Sequence, residues 1–205
     1  MTSKLEAITT SNIFQKYFKN TSWLFFERIF RMVVSLFVGV WVARYLGPEK
    51  FGILSYVQSY VAIFSVIASF GITNIVVREL INNKFTTNQL IGTSFWIKFL
   101  GALFVIMILF LTFSFTSDSE TVKIYILILG SALLLQAFNI IDLYYQFLVL
   151  SKYIVMVNSI GLLLSSILKI VFILNDMSLI YFVALAIFDS FILAIGYLYI
   201  YKKHN

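Results

Sequence analysis

The chain has 205 residues, of which 61% are hydrophobic, 18% aromatic and only 12% charged, with a mean hydropathy of +0.97 and a net charge of +6. Soluble domains carry about 25% charged residues, so the composition is that of an integral membrane protein. The lack of cysteine excludes a disulfide framework and a thiolate metal site, and a single histidine, His204, excludes a His-cluster metal site.

The segment from Met1 to Asn20 is polar and carries Lys4, Lys16 and Lys19. It lacks the short apolar core and cleavage site of a secretory signal. Its apolar positions Ile13, Phe14, Tyr17 and Phe18 suit a short helix lying on the membrane surface, and a flexible terminus equally well. A membrane span needs about 20 mostly apolar residues. By that measure the predicted spans are six: Thr21 to Leu46, Ile53 to Val77, Leu90 to Phe115, Val122 to Leu143, Tyr153 to Leu174 and Leu179 to Tyr201. The breaks between them are Gly47-Pro48, Asn82-Asn83-Lys84, Ser117 to Glu120, Ser151-Lys152 and Asn175-Asp176, of which Ser151-Lys152 is the weakest. The predicted fold class is all-α: a polytopic six-helix transmembrane bundle over residues 21–201, with residues 1–20 and 202–205 outside the bilayer.

Orientation follows from the Lys/Arg asymmetry of the connections. Lys4, Lys16, Lys19, Arg78, Lys84, Lys152, Lys202 and Lys203 fall on one side, against Arg44, Lys50 and Lys123 on the other. Cytoplasm holds the basic side, so both termini are expected there, in a multi-pass protein of the cytoplasmic membrane.

Ionisable residues inside the spans are costly and usually face a protein interior or a water-filled path. With Thr21 at the inner edge and about 1.5 Å of rise per residue, Arg28 lies roughly 10 Å deep and Arg31 roughly 15 Å. Glu27 and Arg31 are spaced i, i+4 and can pair. Arg28 and Arg31, i, i+3, share one side and leave surplus positive charge. The planar fork of arginine suits phosphate oxygens, so the first reading is a site for a phosphate-bearing lipid head. The other is a Glu27–Arg31 pair with Arg28 snorkelling to the interface. The default functional role of intramembrane charge favours the first.

In the second span Ser55, Gln58, Ala62, Ser65 and Ser69 form a small and polar stripe. The serines suit close helix packing; Gln58 suits packing or a wet lining alike. Lys98 in the third span fits both a cavity lining and snorkelling. Gln136, Asn139 and Asp142 in the fourth each need a partner in hydrocarbon, which points to a polar lining or gate. Lys169 is expected to snorkel outward. Asp189 is expected to pair across helices with Arg31, Arg28 or Lys98. No Gly-rich phosphate loop, Ser/His/Asp constellation or metal-ligand spacing occurs, so enzymatic activity, cofactors and metal are not expected. Basic residues are too dispersed for a nucleic-acid face.

The decapeptide Ala43 to Gly52, ARYLGPEKFG, follows a helix with internal arginines and resembles the first inter-helix loop of polysaccharide repeat-unit flippases. These are the Wzx-type O-antigen and capsule exporters of the multidrug/oligosaccharidyl-lipid/polysaccharide superfamily. Gly71-Ile72-Thr73-Asn74 with Arg78-Glu79 resembles the end of that family's second helix. Asp142 to Gln146 with Ser151-Lys152-Tyr153 resembles its loop between helices four and five. The resemblance implies transport of undecaprenyl-pyrophosphate-linked oligosaccharide between leaflets, by two lobes rocking about a cationic cavity. Arg28 and Arg31 resemble its cavity arginines, with Lys98 as a further cation and Glu27, Gln58, Gln136, Asn139, Asp142 and Asp189 as polar partners. Arg44 belongs to the loop motif and reads as structural. Family members have about twice as many helices, so the chain is expected to correspond to the N-terminal lobe. Its expected partners are lipid-linked oligosaccharide, membrane lipid and a second lobe or further copy. Two competing functions are a cation-coupled small-molecule antiporter of the same superfamily, with Asp189 or Asp142 as ion carrier, and an inactive membrane remnant or subunit.

Overall fold

The computed structural model describes residues 2–69, 71–82 and 86–204, with side chains described for residues 15–69, 71–82 and 86–203. The described secondary structure is helical throughout: α1 (Thr2–Ser69), α2 (Ile72–Asn82), α3 (Thr87–Thr112), α4 (Glu120–Leu135), a 3-10 segment (Gln136–Asn139), α5 (Ile140–Phe147), α6 (Ser151–Leu174) and α7 (Leu179–His204). Among the described residues, five stretches are long and apolar enough to cross a membrane. The first contains a break at Gly47, which has φ 70 and ψ 174. That region is open essentially to glycine alone. Pro48 then bars its predecessor from helical geometry and suits the first turn of the helix that follows. The break divides α1 into an N-terminal arm (2–46) and a C-terminal arm (48–69). The second arm reaches roughly 33 Å at about 1.5 Å per residue, enough for a hydrocarbon core of about 30 Å. With the arms taken separately, the stretches come close to the six expected spans.

The boundaries differ from the sequence expectation where backbone geometry intervenes. The second span ends at Ser69, and Gly71, at φ 62, separates it from α2. The fourth is interrupted by the 3-10 segment. Residues 2–20 are helical and continuous with the first span; Ile13 and Phe14 lie outside the residues with described side chains, while Tyr17 and Phe18 are exposed. The weak break at Ser151 is real. Val149 has φ 59, and the Leu150 N–H donates to the Tyr145 carbonyl at 3.0 Å. The Ser151 N–H, unpaired within its own helix, donates to Asn20 Oδ1 at 2.8 Å, and Lys152 Nζ lies 6.0 Å from the Trp23 ring centroid. Together these fasten the start of α6 to the N-terminal arm.

Three apolar clusters hold the bundle. One joins α2, α3, α5, α6 and α7 around Tyr145, whose hydroxyl donates to the Ile200 carbonyl at 3.0 Å. A second joins the C-terminal arm of α1 to α3 and α4 around Val57, Val105 and Ile126. The third, at the Gly47 end, packs Val42, Leu46 and Leu54 against Leu179, Phe182 and Val183. In lipid no hydrophobic force draws helices together, so close approach at small residues matters more. A Cβ on Gly196 of α7 would stand 2.5 Å from Val157 Cγ1 of α6. Gly196→Leu is therefore expected to cost about 1–3 kcal/mol by overpacking, read as a lower melting temperature in detergent. Gly92→Ala, where a Cβ meets nothing within 4 Å, is expected to melt as the unaltered protein does.

Candidate functional site: a charged cavity between α1, α5 and α6

The N-terminal arm of α1 packs along α6, and α5 packs against α6. Between these elements lies a cavity of about 570 Å³ lined by Thr21, Leu24, Phe25, Glu27, Arg28, Arg31, Asp142, Gln146, Ile154 and Asn158. Leu24, Glu27, Arg28 and Arg31 repeat every three to four residues, so one stripe of the arm carries them. Ile154 and Asn158 are the matching stripe on α6. Asp142 and Gln146 come from the short helix α5, one turn apart.

Several of the polar groups are paired. Arg31 Nε donates to Glu27 Oε1 at 2.9 Å, and its Nη2 donates to the same oxygen. Glu27 is the more enclosed partner, its side chain 12% exposed against 46% for Arg31. Gln146 Nε2 donates to Asp142 Oδ1 at 2.8 Å. Tyr197 Oη donates to Asn158 Oδ1 at 2.8 Å, which leaves the Asn158 amide N–H groups as donors. Among the described residues, ion pairs within 4 Å are Glu27–Arg31, Arg78–Glu79 and Glu120–Lys123, so Arg28 belongs to none. Two guanidinium groups thus face two carboxylates. The cationic surplus expected from the first helix is offset, because α5 delivers Asp142 to the same cavity.

The chain matches the family model described as Polysaccharide biosynthesis protein over residues 17–204. It belongs to the polysaccharide biosynthesis protein family, the family of Wzx-type polysaccharide flippases. Comparison with curated proteins and with solved structures yields no match.

The expected site residues of this polysaccharide biosynthesis protein do not all converge. Lys98 lines a separate cavity of about 80 Å³ with Gln136, Asn139, Ser65 and Ser69. Residues i and i+3 eclipse in a 3-10 helix, which puts Gln136 and Asn139 on one side. Asp142, past the end of that segment, turns to the larger cavity instead. Ser65 and Ser69 line the small cavity while their hydroxyls donate to the carbonyls of Ala62 and Val66 at 2.7 and 2.8 Å. Asp189 shares a cavity of about 120 Å³ with Arg31, Asn158, Ser165 and Lys169, and forms no ion pair within 4 Å among the described residues. Gln58 lines a cavity of about 180 Å³ with Ser35, Ser166 and Lys169. Lys169 is half-buried and lines both the 120 and the 180 Å³ cavities.

The family's loop motif acts structurally. Leu46 is buried, and Tyr45 Oη donates to the Met177 carbonyl at 2.9 Å, tying the turn to the α6–α7 connection. Asn158 of the larger cavity, and Ser165 and Lys169 of the neighbouring one, were not read from the sequence as cavity-lining residues. Their signal was present in the sequence: with Ile154 and Leu162 they repeat at helical spacing, a polar stripe through an apolar span.

Proposed function

We propose that the protein moves undecaprenyl-pyrophosphate-linked oligosaccharide repeat units across the cytoplasmic membrane for O-antigen- or capsule-type surface polysaccharide. The observation that carries this reading is the meeting of Arg28, Arg31 and the Asn158 amide on one cavity within an apolar helical bundle. Guanidinium groups recognise phosphate oxygens with two parallel hydrogen bonds, and an incoming diphosphate would engage Arg28 and exchange for the Glu27 carboxylate that holds Arg31 at rest. The prenyl chain would stay in lipid beside the exposed apolar flank of the arm, where Phe26, Leu36 and Phe37 lie. No bond is made or broken in this reading, and both termini lie in the cytoplasm. Arg28 and Arg31 remain exposed, so the reading includes an opposite wall, supplied by a second lobe or a second copy. The test is surface-glycan export in cells carrying Arg28→Ala or Arg31→Ala, with membrane levels measured in parallel.

The resting carboxylates also carry an opposite-signed expectation. Asp142→Asn removes a negative charge that competes with the diphosphate. Binding of a prenyl diphosphate to the protein in nanodiscs is expected to tighten on the order of tenfold, about 1.4 kcal/mol, while export slows because release is impeded. Weaker binding in this variant would rule out competition between Asp142 and the ligand.

A further inference from the structure

We infer that a polar groove between the N-terminal arm of α1 and α6 forms a lane for a diphosphate group, with Lys169 as its second cationic station. The inference rests on the flippase reading above and names the path the anion takes beyond Arg28 and Arg31.

Three cavities lie in series. Those of about 570 and 120 Å³ share Arg31 and Asn158. Those of about 120 and 180 Å³ share Leu162 and Lys169. Their walls are two helical stripes. Arg28, Arg31, Ser35 and Gly39 line the α1 side; Asn158, Gly161, Ser165 and Lys169 line the α6 side. From Ile154 to Lys169 the lane extends roughly 22 Å at about 1.5 Å per residue, most of the depth of a hydrocarbon core. Small residues keep it open. A void needs only about 10–15 Å³ to hold a water when polar groups line it, so even the 120 Å³ cavity has room for water.

The charge changes along the way. The first cavity balances Arg28 and Arg31 against Glu27 and Asp142. The second sets Arg31 and Lys169 against Asp189. In the third, Lys169 is the one ionisable group among the lining residues. An anion passing from the first cavity to the third therefore moves from a neutral lining to a cationic one. Arg31 borders both of the first two cavities and can keep contact while the anion shifts. The sugars are not accommodated by this lane; they would pass on the open side, with the diphosphate as the guided group.

The chain has no cysteine, so single thiols report the lane without background. Ser35→Cys places one in the third cavity. Phe37→Cys places one on the exposed apolar flank, 67% exposed. The full chain in membranes is treated with anionic and cationic methanethiosulfonates, each rate normalised to a free thiol in solution. Ser35→Cys is expected to react, with the anionic reagent favoured roughly tenfold by the local positive field, while Phe37→Cys in lipid does not. Adding Lys169→Met should bring the preference to within about twofold, and Lys169→Arg should keep it. Farnesyl diphosphate or inorganic pyrophosphate should slow the labelling; slowing by the prenyl compound alone shows that the tail is needed to seat the anion. The lane is overturned if Ser35→Cys is as inert as Phe37→Cys, if it shows no charge preference, if Lys169→Met leaves the preference intact, or if neither diphosphate protects. The charge preference in the otherwise unaltered protein needs no Lys169 variant to fold. Normal export by both arginine variants alongside an anion-selective lane would remove the flippase reading and leave the lane as an anion path.

Discussion

Arg28→Ala is expected to reduce surface-glycan export by roughly 10- to 100-fold, the equivalent of losing one or two charge-assisted hydrogen bonds at about 1.5–3 kcal/mol for the pair, with the protein still present in the membrane. Arg28 is the cleaner of the two arginines to remove. It belongs to no ion pair within 4 Å among the described residues, so its loss strands no partner. Arg31→Ala is expected to lose export as completely, but it also leaves the Glu27 carboxylate, only 12% exposed, without its counter-ion. Breaking an enclosed pair from one side is more damaging than never having it. The double variant Glu27→Gln, Arg31→Ala separates the two effects. It should restore the membrane level of the protein and leave export low. If the double variant exports normally, Arg31 serves only to neutralise Glu27, and the phosphate site reduces to Arg28. Arg28→Lys should recover only part of the activity, because an ammonium keeps the charge and loses the two-point fork.

Gly47→Ala is expected to destabilise the bundle by about 1–3 kcal/mol and to lower its melting temperature in detergent. The cause is conformational. A Cβ at Gly47 meets nothing within 4 Å, yet φ 70 with ψ 174 is closed to residues with a side chain. Relief of that strain would have to come from the turn itself. The turn is held on both sides, by Leu46 in the apolar cluster and by the Tyr45 hydroxyl on the Met177 carbonyl. Gly52→Ala, five positions on in the C-terminal arm and equally free of contacts, is expected to melt no lower than the unaltered protein, since alanine favours a helix interior. Equal melting of the two variants would show that the turn relaxes without cost. Because the arm that carries Arg28 and Arg31 ends at this turn, a drop in export should accompany the drop in stability.

Much of the fold was legible from segments taken one at a time. Apolar runs of sufficient length marked the spans, and Gly47-Pro48 marked a turn whose geometry the structure bears out. The internal breaks were less legible. Gly71 and the 3-10 turn at Gln136–Asn139 sit within apolar runs, and hydropathy does not register a change of backbone conformation. The family was legible in the loop decapeptide, whose Leu46 packs in an apolar cluster and whose Tyr45 ties the turn to the α6–α7 connection by a hydrogen bond.

The site divides in the same way. The i, i+4 pairing of Glu27 with Arg31 and the shared side of Arg28 were determined by the sequence itself, because helical spacing alone places those side chains. What faces them depended on tertiary structure. Asp142 reaches the arginines because α5 begins where the 3-10 segment ends, and the same change of helical pitch leaves Gln136 and Asn139 with Lys98 in a different cavity. Asn158 and Lys169 joined the site because α6 lies along the N-terminal arm, fastened at its start by Asn20 and Ser151. A period of 3.6 residues sets which side chains share one side of a helix. Only the packing of separate helices decides which two sides enclose a cavity, and so whether a buried charge is left in surplus or meets its opposite.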